Sequence, residues 1–169
     1  LTKAAIYWYF PNKNALVDEV ARSIYDTYIG YIEKISGSPL SSCEKLRRIV
    51  LGEEDTIQAA LMCVFPIKFY LESYSESHVV KTLIKSGYEK YNALITAVLE
   101  EGIRNGEFQT CLPVSELAKF ITGAIDGLAF QNLLVSSEKP EVPRSLLFSV
   151  LDRILTPIYP TPRKEVSND

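Results

Sequence analysis

The sequence predicts an all-α protein. Apolar residues recur at three- and four-residue spacing along nearly its whole length, no period-two alternation is sustained, and the interruptions are short turns rich in Pro, Gly and Ser. With 47% hydrophobic and 23% charged residues among 169, the chain has the apolar content of one compact domain, which excludes disorder as its main state.

A short helix is expected over residues 2–10, stopped by Pro11-Asn12, which also offers a polar cap to the next helix. That second helix, over 13–35, carries Leu16, Val20, Ile24, Tyr28, Ile32 and Ile35 on one stripe and ends at Ser36-Gly37-Ser38-Pro39. A third starts at Ser41 or Ser42, with Glu44 in its first turn, and reaches Gly52. A fourth spans 53–75 and contains Pro66, which removes a backbone donor and is expected to kink it. Residues 77–105 read as a long helix closed by Gly106. After Pro113, the segment 114–135 is apolar around most of its circumference, so burial on two sides is expected. A last helix follows Pro143 with Leu146, Leu147, Val150, Leu151, Ile154, Leu155 and Ile158, and a polar tail occupies 160–169.

The net charge of −3 gives no overall electrostatic reason to bind nucleic acid, so any such contact must be local. Three widely spaced cysteines, Cys43, Cys63 and Cys111, point to free thiols and a cytoplasmic location rather than to a disulfide framework. His78 is the sole histidine, which excludes a multi-histidine metal site; Glu53-Glu54-Asp55 opens a helix and reads as dipole compensation. No metal, cofactor or catalytic constellation is expected, and an enzyme is the weakest reading. The longest apolar runs fall far short of the ~20 residues of a membrane span.

The stretch Leu1-Thr2-Lys3-Ala4-Ala5-Ile6-Tyr7-Trp8-Tyr9-Phe10-Pro11-Asn12-Lys13-Asn14-Ala15-Leu16 resembles the recognition helix and following turn of the TetR family of transcriptional regulators. The match lies in Thr2-Lys3, Ile6-Tyr7, Tyr9-Phe10, Asn12-Lys13 and Leu16, in fixed register. Glu100-Glu101-Gly102-Ile103-Arg104-Asn105-Gly106-Glu107-Phe108 is similar to the end of the family's seventh helix, and Leu117-Ala118 with Ala124-Ile125-Asp126-Gly127-Leu128 to its eighth. The resemblance implies a helix-turn-helix remnant over 1–13, a connecting helix over 14–35, and an effector-binding and dimerisation bundle over 36–159. It also implies two further N-terminal helices, absent here, without which the chain is not expected to bind an operator.

A helix entering the major groove needs short side chains and a few polar groups at its start, which Thr2, Lys3, Ala4 and Ala5 supply. Tyr7 and Tyr9 are placed to reach phosphate oxygens, and Lys13 adds a cation beside exposed backbone donors. Ile6 and Phe10 instead belong to a small hydrophobic cluster.

Met62, Phe65, Phe69, Tyr70, Tyr74, Tyr88 and Tyr91 form an aromatic stripe on the helices over 53–75 and 77–105, either as plain core or as the wall of a pocket, the region where the resembled family binds effectors. Phe130 is a further candidate, and Gln131 and Asn132 are weaker ones. No Arg or Lys falls on the inward stripe, which favours a neutral or cationic lipophilic effector over a strongly anionic one. Asp126, inside the apolar helix, is either a counter-ion for a cationic ligand or the partner of a buried Tyr. Gly123 and Gly127 lie four apart and admit close helix approach; with Leu147, Leu151 and Ile154 of the last helix they suggest a four-helix homodimer interface, or else both faces are consumed within one subunit.

The combined expectation is a homodimeric, ligand-responsive regulator that represses from a double-stranded DNA operator and is released by a small lipophilic effector. An all-helical carrier of hydrophobic ligands is the alternative.

Overall fold

The computed structural model describes residues 8–51, 77–135 and 144–155. They form five helices: α1 (Lys13–Ser36), α2 (Ser42–Leu51), α3 (His78–Arg104), α4 (Val114–Val135) and α5 (Arg144–Leu155). No strand occurs among the described residues. The expected fourth helix with its Pro66 kink, residues 1–7 and everything beyond 155 lie outside them.

Local chemistry accounts for the helix ends. The Asn12 side chain caps α1 by accepting from the Ala15 N–H at 2.8 Å, and the Ser77 hydroxyl caps α3 by accepting from the Val80 N–H at 3.1 Å. Gly106 takes φ +75° just beyond α3, a conformation that favours glycine.

Helix α3 is the central element and packs against α1, α2 and α4, while α5 packs on α2 and α4. The core lies between them, with Ile29, Ile32, Leu46, Val50, Ile95, Leu99, Leu117, Ile121 and Leu151 fully or nearly fully buried. Each such aliphatic side chain contributes about 1.5–3 kcal/mol relative to exposure. Helices α1 and α3 run in the same direction, since Asp18 meets Ser77, Tyr25 meets Gly87 and Tyr28 meets Tyr91.

Two polar contacts lock α2 onto the end of α3. The Glu107 carboxylate accepts from the Ser42 and Cys43 N–H groups at 3.1 and 3.0 Å, satisfying two otherwise orphaned donors at the start of α2. Those bonds, the Cys43 N–H first, hold the Glu107 carboxyl below its ordinary range. The buried Lys45 ammonium donates to both oxygens of Glu101, at 2.9 and 2.8 Å. Cys43 and Cys111 are free, and burial followed by the nearby Asp152, Glu107 and Glu44 carboxylates pushes the Cys43 thiol up.

Candidate functional site

At the amino-terminal end of the described chain, Trp8 and Tyr9 are helical, edge-to-face at 5.1 Å, and almost fully in solvent, Trp8 being 82% exposed. Lys13 is exposed at the first position of α1. Thr2, Lys3, Ala4 and Tyr7, the other expected DNA contacts, lie outside the described residues. In the first half of α1, Leu16, Val20 and Ile24 are half-buried and Ala21 is fully buried; in the second, Ile29, Ile32 and Ile35 are buried. The amino-terminal arm of α1 carries the Trp8–Lys13 end.

A polar contact ties that arm to α3. The Ser77 hydroxyl, nearly buried, donates to Asp18 Oδ1 at 2.6 Å while it caps α3. Further along, Lys90 pairs with Glu33 at 2.6 Å on the surface. Sequence reading missed Asp18 and Ser77, because a pair 59 residues apart leaves no periodic signature.

Burial along the inward stripe of α3 is uneven. Val80 is fully buried and Tyr91 is 3% exposed, yet Ile84 is only half-buried and Tyr88, on the same stripe, is 44% exposed. Facing Tyr88, α4 presents Asp126, whose Oδ2 accepts from the Tyr88 hydroxyl at 2.7 Å. Burial raises the Asp126 carboxyl above the ordinary aspartate range, and the Tyr88 hydrogen bond opposes that shift. One turn along the same seam, Thr122 donates to Asn92 at 2.8 Å.

Tyr91 departs from the pocket expectation: it packs against Tyr28 at 5.3 Å and belongs to the core. Phe130 also departs from it, since it lies seven residues from Gly123 on the outer face of α4 and is exposed. Met62, Phe65, Phe69, Tyr70 and Tyr74 lie outside the described residues, as does the Asn132 side chain.

Burial of α4 is one-sided within the subunit. Leu117, Ala118, Ile121 and Ile125 face the core, while Phe120, at 53% exposure, Gly123, Gly127 and Phe130 face outward. A Cβ built on either glycine would meet nothing within 4 Å, so that surface is open. On α5 the expected interface residues need correction. Leu147 and Leu151 are buried in the subunit's own core and Ile154 packs against it, because this stripe covers α2 and α4. The outward apolar side chains are Leu146, at 63% exposure, and Val150, four residues apart and therefore on one helix face.

No helix among the described residues is long and apolar enough to cross a membrane, and none of their His, Cys, Asp and Glu side chains gather into a potential metal site.

Comparison with known proteins places this architecture. The chain is 25% identical over 125 residues to the HTH-type transcriptional repressor KstR2 of Rhodococcus jostii (strain RHA1), an alignment that covers 72% of this chain and 59% of that relative. It therefore spans less than two thirds of the relative's length. Among solved structures it resembles reduced Escherichia coli NemR, with TM-score 0.72 and 17% identity over 92% of this chain and 82% of that one. It also resembles FadR from Bacillus subtilis in complex with stearoyl-CoA, with TM-score 0.64 and 20% identity over 94% and 83%. The TetR family regulator PfmR from Thermus thermophilus gives TM-score 0.61 and 17% identity over 95% and 84%. At these identities the structural likenesses establish the fold. The family model for the tetracyclin repressor-like C-terminal domain matches residues 50–143, more than half of the sequence, and the chain belongs to that family.

Proposed function

We propose that this protein is the body of a ligand-responsive, homodimeric transcriptional regulator of the TetR family, a repressor that leaves its operator when a small lipophilic effector binds. The observation that carries the reading is the arrangement around α1: one helix joins an exposed aromatic and cationic end, Trp8 to Lys13, to α3 at Asp18–Ser77, about three helical turns before Tyr88 on the same helix. Segment 1–13 belongs to the DNA-binding head, 14–35 is the connecting helix, 36–159 the effector and dimerisation body, and 160–169 a polar tail. The repressor assignment follows the KstR2 relative, and a lipophilic effector is in keeping with the acyl chain of the stearoyl-CoA bound by FadR. Membership of a repressor-like family disfavours the carrier alternative. The location is cytoplasmic, where DNA and effector are both accessible.

In mechanism, an effector entering between α3 and α4 shifts the body between two arrangements, and the Asp18–Ser77 contact passes the shift to α1. Paired heads must match major grooves about 34 Å apart, so a small rotation of each arm misplaces one of them. The outer face formed by Phe120, Gly123, Gly127, Phe130, Leu146 and Val150 receives the second copy, with roughly 1,500 Å² buried in total for a stable pair.

Lys13→Ala in the full-length protein tests the DNA end. Fluorescence anisotropy should show weaker binding to all duplexes alike and a salt slope smaller by about 1, the signature of one lost phosphate contact. An unchanged slope would place Lys13 off the DNA.

A further inference from the structure

We propose that Asp126 anchors a cationic nitrogen of the effector, with the Tyr88 hydroxyl holding the carboxylate and the Tyr88 ring flanking the bound group. This rests on reading the seam between α3 and α4 as the effector site.

Asp126 sits on a helix whose inward face is apolar apart from Thr122, and it is half-buried, a position costly for a charge without a partner. A carboxylate has about four acceptor positions. Among the described residues a single donor, the Tyr88 hydroxyl, reaches it, at 2.7 Å, and no Lys, Arg or His forms an ion pair with it. The neighbouring polar pair does not compete, because the Thr122 hydroxyl is already spent on Asn92 and on the Ala118 carbonyl.

Tyr88 supplies the second observation. A position on the inward stripe between buried Val80 and buried Tyr91 is ordinarily covered by the next layer, yet 44% of Tyr88 is exposed at the spot where Asp126 faces α3. The seam therefore joins a part-exposed aromatic ring (Tyr88) to an under-compensated anion (Asp126), with half-buried Ile84 one turn along α3 as the nearby apolar surface. An alkyl or aryl ammonium complements all three: its body buries apolar surface, its nitrogen satisfies the carboxylate, and the ring adds cation–π attraction. An anionic head group at the same place meets repulsion.

The test is isothermal titration calorimetry at neutral pH with three probes of equal tail length below their micelle concentrations: decylammonium, decanol and decanoate. Wild type should bind the ammonium at least tenfold more tightly than decanoate. Asp126→Asn should weaken ammonium binding at least tenfold while leaving decanol within about twofold, and Tyr88→Phe should fall between wild type and Asp126→Asn. If decanol or decanoate binds as tightly as the ammonium to wild type, the cation assignment is overturned while the seam survives as an effector site. That comparison needs no variant, so it holds even if Asp126→Asn is unstable. If none of the three binds, both the assignment and the effector reading of the seam fail.

Discussion

Phe120→Glu combined with Leu146→Glu is expected to convert the protein from dimer to monomer at micromolar concentration and to abolish tight operator binding by the full-length form. Both side chains are more than half exposed on the single subunit and lie on the apolar face shared by α4 and α5, so neither supports the subunit's own core. Two carboxylates per subunit would place four like charges across a two-fold contact. The subunit fold should persist, with an unchanged circular dichroism spectrum. DNA affinity should fall roughly 10²-fold or more, because the second head no longer benefits from the effective concentration that tethering provides. Leu151→Glu is the contrasting substitution: it buries a charge in the core, so it should unfold the protein rather than dissociate it. Sedimentation velocity separates the two, and a dimer that withstands the double substitution would move the interface to another face.

The second large effect is on stability. Gly102→Ala should lower the unfolding free energy by about 2–3 kcal/mol, the upper part of the range for overpacking a filled site. A Cβ on Gly102 would collide with the buried Phe108 ring. That ring has little room to yield, since the Glu107 and Phe108 N–H groups both donate to the Gly102 carbonyl, at 2.8 and 3.1 Å. Moving the turn also draws Glu107 away from the Ser42 and Cys43 donors, so the damage spreads to α2. Gly106→Ala is the control: its positive φ costs about 1–2 kcal/mol in any L-residue, but nothing lies within 4 Å of the added carbon. Thermal melts should rank Gly102→Ala below Gly106→Ala, and equal melting points would contradict the packing account.

These residues also mark how far the sequence could be read. Helix type and ends followed from local signals: Asn12 before α1, Ser77 before α3 and Gly106 after it each act through bonds or dihedrals within a few residues. The sequence marked Gly123 and Gly127 as one side of a helix apolar all round, but their exposure came from the packing of the other face on the core. Which face of α5 looks outward was not legible. Leu146, Leu147, Val150 and Leu151 are all apolar, and only the placement of α2 and α4 decides that 147 and 151 turn inward. Tyr91 and Tyr88 illustrate the same limit. They are one turn apart on one stripe, yet one ring is packed on Tyr28 and the other is open toward Asp126. The Asp18–Ser77, Lys45–Glu101 and Glu107–Ser42 contacts join residues 56 or more apart, and no periodicity encodes them. Gly102 lay inside a motif read for its family likeness; its physical role, clearance for Phe108, required the neighbouring ring.

The central claim, a dimeric DNA-binding regulator, is tested most directly by selecting from a pool of random duplexes with the full-length protein and sequencing what is retained. The account predicts one enriched, dyad-symmetric duplex with half-sites about a helical turn apart, bound with an affinity that falls steeply as salt rises. Retention of the pool without enrichment of any sequence, by a protein shown to be folded and dimeric, would contradict it.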